Sequence, residues 1–275
     1  MDFGLRHQPH SASSWAGFLL ALPLLLFLAA AVAWPIGHLA ARALTAQGGG
    51  ALREVLAAGR YRTALVNSLA LSTAAAVVSL LLSLGPAWVL ARERFRGRDL
   101  LRTAISLPLT FSGVLVGFLM VVLLGRIGAL PKAIGFLTGR EVFAGAAYTF
   151  SGLFVAYLYF EVPRAVVTLE SAFRRFPREL DAAARTLGAG PFERLVKVML
   201  PVAAPALRST LAVTFSASMG SFGVALILSR RFTVAPLEIY TEMTGFLNDD
   251  VAGALCLLLA LATLAVDRLL AVRKR

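Results

Sequence analysis

The sequence predicts an all-α integral membrane protein of about six transmembrane helices, with a short cytoplasmic helix between the fourth and fifth. Three observations carry this expectation. Hydrophobic letters make up 58% of the 275 residues and charged ones only 15%, and the mean hydropathy is +0.77, far more apolar than an ordinary soluble domain. Six runs reach or approach the roughly 20 apolar residues that a helix needs to cross a bilayer. The 27 basic residues outnumber the 15 acidic ones and sit in short segments between those runs, which is the positive-inside distribution and not a nucleic-acid-binding surface.

The first run, 15–36, follows a basic start and ends near the small-residue triplet Ala31, Val32 and Ala33. A cleavable signal peptide is the alternative reading, but five further spans favour a retained first span. The glycine-rich stretch 47–50 marks a loop before the second run, 64–91. The third run covers 103–124, the fourth 142–160, the fifth 201–229, and the sixth 251–266 with room to extend at both ends. With the N-terminus inside, 17 basic residues fall in cytoplasmic segments and 9 in external ones, so both termini are expected in the cytoplasm. The chain divides into an N-terminal end, first helix and external loop (1–61), a transmembrane domain (62–270) and a cytoplasmic tail (271–275).

Several chemistries are excluded. Cys256 is the single cysteine and lies in an apolar run, so there is no intrachain disulfide and no cysteine metal cluster. His7, His10 and His38 are the only histidines, too few and too scattered for a histidine-based metal or catalytic site. No G-x-x-x-x-G-K-[ST] phosphate loop occurs, so the chain is not expected to hydrolyse ATP. No set of paired carboxylates or Ser/His partners at matched depth suggests an intramembrane enzyme.

About forty residues join the fourth and fifth runs, more than a minimal connection needs. Pro177 suits a first helical position, Glu179 and Asp181 place negative charge in the first turn, Arg185 places positive charge late, and Gly188 suits a left-handed stop. A helix over 177–187 follows, with Leu180, Ala183, Ala184 and Leu187 on one shallow apolar face. A helix this short is marginal alone, so it rests either on the lipid interface or on a protein surface. Gly190 and Pro191 restart a helix in which Phe192, Leu195, Val196 and Met199 recur at helical spacing.

This segment resembles the cytoplasmic signature of the membrane subunits of binding-protein-dependent ABC importers of type I fold, in which Glu-Ala-Ala is followed after three residues by Gly and later by Ile-x-Leu-Pro. Ala182, Ala183 and Ala184 hold the triplet, Gly188 follows at the matching spacing, and Val198, Leu200 and Pro201 close the pattern. Ala182 stands where the family has glutamate, with Asp181 immediately before it. Asn67-Ser68-Leu69, the basic stretch 91–98 and Leu107-Pro108 also resemble the family, which covers roughly 62–270. The resemblance implies that Asp181, Ala182, Ala183, Ala184 and Gly188 form a coupling helix that docks on a cytoplasmic ATPase dimer. It further implies that ATP and Mg belong to that partner with no cofactor in this chain, that a second permease chain completes the path, and that an external or periplasmic binding protein delivers the solute. The setting would be the bacterial inner membrane.

The stretch 218–223 is similar to the fifth span of permeases for oxyanions, ferric iron, thiamine, phosphonates and polyamines. Many oxyanion permeases carry glutamate at the position of Ser221, which weakens that assignment; polyamine, ferric iron, thiamine and phosphonate stay open. Path candidates are Phe111 and Ser112 beside Gly113, and Ser218, Ser221 and Phe222, since hydroxyls can line a polar route and small residues let helices approach. Arg208 is expected to snorkel to the interface, and Glu161, read as near the cytoplasmic end of the fourth span, to pair locally. The other class of function, a secondary transporter or channel independent of ATP, predicts buried carboxylates at mid-membrane, and none is expected there.

Overall fold

The structure, a computed structural model, describes residues 14–45, 50–138 and 145–270. The opening segment with His7 and His10, part of the 47–50 loop, the start of the 142–160 run and the 271–275 tail lie outside the described residues. All described elements are helical. The order is α1 (Ser14–Leu28), α2 (Trp34–Thr45), α3 (Gly50–Ala57), α4 (Gly59–Arg92), α5 (Arg98–Ser106), α6 (Gly113–Leu124), α7 (Ala129–Thr138), α8 (Phe150–Arg174), α9 (Arg178–Thr186), α10 (Pro191–Glu193), α11 (Leu200–Val202), α12 (Ala204–Met219), α13 (Phe222–Leu228), α14 (Ala235–Thr244) and α15 (Asp249–Leu270). Five stretches are long and apolar enough to cross a membrane, and a sixth is the bent pair Pro191–Val202 and Ala204–Met219. The protein is a multi-pass membrane protein.

The central mast is α4, whose 34 residues extend about 51 Å at 1.5 Å per residue, well beyond a hydrocarbon core of about 30 Å. It packs chiefly against α8 and α12. Ser68, Ser72, Ala75, Ala76, Ser79 and Ser83 are buried along it, a helically spaced run of small side chains that lets backbones come close where lipid offers no hydrophobic drive. Its Asn67 and Ser68 pin a distant loop. The Asn67 amide donates to the Thr233 carbonyl at 2.9 Å, and the Ser68 hydroxyl accepts from the Ala235 N–H at 2.8 Å.

Four packed regions follow among the described residues, the smallest around Ala76, Phe215 and Met219 where α4, α12 and α15 meet. At one end of the bundle, Leu71, Val116, Met120, Leu153, Tyr157 and Val224 interdigitate. At the α9 end, Trp88, Leu90, Leu169, Phe173, Phe176 and Met199 form a second cluster, with Trp88 edge-on to Phe173 at 6.5 Å. The third joins the first and last helices through Ala43, Val55, Tyr61, Val251 and Leu255, closed by Arg42 on Asp250 at 3.0 Å.

Several expected boundaries shift, each for a physical reason. The first helical stretch runs on to Thr45, through a π-helical turn at Ala29–Ala33, and a second such turn spans Arg194–Met199. Each lies just before a proline, Pro35 or Pro201, whose missing N–H and ring disturb the regular ladder. The third run is broken at 107–112 between α5 and α6. The fourth is not 142–160: its helix is Phe150–Arg174, because Glu161 and Arg164, which looked like a boundary, neutralise each other at 2.8 Å and Pro163 is buried within the helix. Glu161 is therefore mid-helix, correcting the expectation that no carboxylate lies there; it pairs locally, as expected. The fifth run breaks at Ala203, with a bend of 78°, and again at Gly220 and Ser221. Pro177 precedes the first turn of α9 as its N-cap instead of opening it. Helices α3, α7 and α14 were not foreseen.

Candidate coupling face and solute path

Helix α9 carries Asp181, Ala182, Ala183 and Ala184. It ends in a Schellman turn. The Ala189 N–H reaches the Ala184 carbonyl at 3.0 Å, the Gly188 N–H reaches Arg185 at 2.9 Å, and Gly188 sits at φ +81°, a conformation that only glycine adopts without strain. Beyond it the Gly190 N–H donates to Glu193 at 3.4 Å, and Lys197 donates to Glu193 at 2.9 Å.

Only Ala184 of the apolar face is buried by the chain itself, where α9 rests on the 194–199 turn. Leu180 is 43% exposed, Leu187 87% and the neighbouring Phe192 76%. The face expected to lie down is thus largely uncovered. It lies beside Gly188 at the tip as an uncovered apolar surface.

A charged cluster that sequence reasoning missed lies where α8, α5 and the end of α4 meet. Glu170 near the end of α8 is buried (1% exposed) and ringed by arginines from two elements. Arg174 donates to one carboxylate oxygen at 3.0 Å, Arg102 lies 3.2 Å from the other, and Arg98 lies at 4.0 Å. Arg98 also donates to the Leu90 carbonyl at 2.9 Å, and Arg92 to the Phe176 carbonyl at 3.0 Å. One carboxylate therefore ties α8 to the α5 elbow and, through Arg98, to the end of α4, while Arg92 separately holds the Phe176 carbonyl just before α9. The available signal was that Glu170 is a lone acid among many arginines.

The expected path residues fall into two groups. Phe111 and Ser112 cap α6, the Ser112 hydroxyl accepting from the Leu115 N–H at 3.3 Å. Ser221 and Phe222 open α13; the Ser221 carbonyl accepts from the Tyr157 hydroxyl at 3.0 Å, and Phe222 packs on Tyr240 at 5.1 Å. These two breaks meet through Gly113 and Gly223, whose backbones touch: a Cβ on Gly223 would lie 2.9 Å from the Val114 nitrogen. One turn on, Gly117 lies against Ile227, where a Cβ would come within 2.8 Å. The small-xxx-small spacing of Gly113 and Gly117 was the overlooked signal. Ser218, by contrast, is buried on α12 one turn before the break, and Arg208 is exposed. Among the described residues no cluster of His, Cys, Asp and Glu could hold a metal ion.

The fold is thus a helical membrane bundle with spans broken at a shared glycine contact and a short amphipathic helix hung from one end. The chain of a bacterial alginate ABC transporter, solved in complex with an alginate pentasaccharide-bound periplasmic protein, superposes with a TM-score of 0.81 over 94% of this chain and 93% of that one, at 17% identity. Among relatives, a probable molybdenum ABC transporter permease protein of Haloferax volcanii is 30% identical over 94% of this chain and 90% of its own. The molybdenum transport system permease protein ModB of Mycobacterium tuberculosis is 33% identical over 74% of this chain and 76% of its own. A probable sulfate transport system permease protein of Chlorella vulgaris is 32% identical over 64% of this chain and 67% of its own. The family described as binding-protein-dependent transport system inner membrane component matches residues 83–272. The chain belongs to that family and is a permease subunit of a binding-protein-dependent ABC importer, which decides against an ATP-independent transporter or channel.

Proposed function

We propose that this permease docks on a separate ATPase dimer through Asp181, Ala182, Ala183, Ala184 and Gly188 of the α9 region, and that its cargo is a tetrahedral oxyanion of the molybdate or sulfate kind. The uncovered apolar face of Leu180, Ala183 and Leu187 carries the docking reading, since a lipid-resting helix has no need of a rigid glycine tip. ATP and Mg would be bound by the partner. The α9 end would face the cytoplasm with both termini, in a bacterial plasma membrane, and a second permease chain would close the path. The binding protein would dock at the opposite end. Phe111, Ser112, Ser221 and Phe222 would line the route where α6 and α13 meet, with Ser218 supporting it from below.

The relatives named for molybdenum and sulfate support the cargo class. The test is uptake of radiolabelled sulfate and of molybdate into proteoliposomes holding this permease, its ATPase and its binding protein. Uptake of one of them, dependent on ATP on the α9 side, is expected; transport only of a cation, or uptake indifferent to ATP, would overturn the reading.

A further inference from the structure

At the end of the bundle opposite α9, a recess of about 780 Å³ opens over the junction of α6 and α13. Arg126, Arg230 and Arg231 line it, with Tyr148 and Gly145 between them. The Arg230 guanidinium lies over the Tyr148 ring at 5.4 Å, and a Cβ on Gly145, at φ +82°, would lie 3.3 Å from the Arg126 stem. Packing thus holds Arg230 and Arg126 on the wall, and Arg231 lines the same recess. Among the described lining residues none is acidic. The carboxylates of α14 are engaged elsewhere, Glu238 and Glu242 with Arg60 at 2.6 and 2.8 Å, and Asp250 of α15 pairs with Arg42 at 3.0 Å.

Three guanidiniums in one concavity repel one another unless an anion joins them, and a recess lined by one sign of charge concentrates counter-ions. On the external side, such a group also runs against the bias that places arginine in the cytoplasm. Guanidinium suits oxyanions in particular, because its planar fork offers paired donors to two oxygens of one group.

We propose that Arg126, Arg230 and Arg231 form a receiving site for a free oxyanion, which holds the cargo between its release by the binding protein and its entry beside Gly113 and Gly223. The site rests on the oxyanion reading of the cargo. Its position suits that role, since Val121 and Val122 of its floor continue α6 one turn beyond Gly117, and Arg230 follows the end of α13 by two residues.

The assembled permease–ATPase complex, without binding protein, is treated with phenylglyoxal, and modified arginines are mapped by peptide mass spectrometry with sulfate, molybdate or chloride at equal ionic strength. Sulfate or molybdate, and not chloride, should protect the three arginines several-fold. In proteoliposomes with binding protein, the double variant Arg230→Gln/Arg231→Gln should lower the uptake rate at saturating loaded binding protein about tenfold, as expected for loss of charge-assisted hydrogen bonds, with binding-protein affinity in a pull-down unchanged. Absence of protection in the unmodified complex overturns the site, as does a double variant that loses binding-protein affinity, which would make the arginines a docking surface for that protein. If the unmodified complex carries neither sulfate nor molybdate, the cargo reading itself fails; if it carries one of them but shows no protection, the recess alone fails.

Discussion

Gly113 and Gly223 touch backbone to backbone, with a hypothetical Gly113 Cβ only 3.2 Å from the Val224 nitrogen. Two chain breaks far apart in sequence are thereby fixed to each other at one point. Gly223→Ala should cost about 1–3 kcal/mol through forced backbone movement and lower the thermal unfolding midpoint of the purified permease, with Gly117→Ala similar because its Cβ would overlap Ile227. Gly85→Ala in α4 is the control: nothing lies within 4 Å of its Cβ, so the change should be neutral or stabilise by about 0.5–1 kcal/mol. Equal effects at Gly85 and Gly223 would show that helix propensity, and not contact, sets the requirement.

Replacing Glu170 with Gln leaves Arg98, Arg102 and Arg174 around a neutral group. Breaking a buried pair costs about 3–5 kcal/mol, and the half-exposed arginines reduce this to roughly 2 kcal/mol. Thermal unfolding of the complex should register that loss. ATP hydrolysis should also become less responsive to loaded binding protein, because the α4–α5–α8 junction from which the chain enters α9 is loosened. A variant with normal stimulation would mean that the arginine ring stabilises without positioning α9.

On α9 itself, Ala183→Trp should weaken association with the ATPase, measured by co-purification, while membrane levels stay normal. Gly188→Val should do so by another route. No atom lies within 4 Å of its Cβ, so the effect is purely conformational, about 1–2 kcal/mol of left-handed strain for a β-branched residue. Gly188→Asn, which tolerates that region, should retain most activity. If Val and Asn behave alike, the left-handed turn is not what coupling requires.

Orientation is open to chemical labelling. With Cys256 replaced by Ala, a cysteine at Phe246, which is 63% exposed, should react with an impermeant maleimide in intact cells, and one at Ala189 should react only after permeabilisation. Reversed labelling would place α9 outside and remove it from any cytoplasmic partner.

Much of this was legible because apolar length and basic loops are one-dimensional signals. The α9 helix and its Gly188 stop could be read from spacing; the breaks at 107–112 and at Gly220 and Ser221 could not, since each lies inside one continuous apolar run. The register of α8 could not, because Glu161 and Arg164 appear as two charges until the helix brings them into a pair. Glu170 was invisible for the same reason: its partners Arg98 and Arg102 lie about seventy residues earlier. Leu180 and Leu187 show the converse, since periodicity identifies an apolar face but only the fold reveals that the chain leaves it bare. Helices α3 and α14 sit in connections whose helicity depends on packing against α4 and α15, and pattern alone does not carry that.

The 78° elbow at Ala203 has a mechanical meaning. A push delivered along the limb Pro191–Val202 projects onto the axis of α12 only as the cosine of that angle, a small fraction, so thrust is largely lost at the corner. Swinging the limb sideways, in contrast, turns α12 about its own length, as a crank turns a shaft. If the α9 end is driven, its effective stroke would be a lateral sweep, and the output would be a twist at the Ser218–Ser221 end of α12.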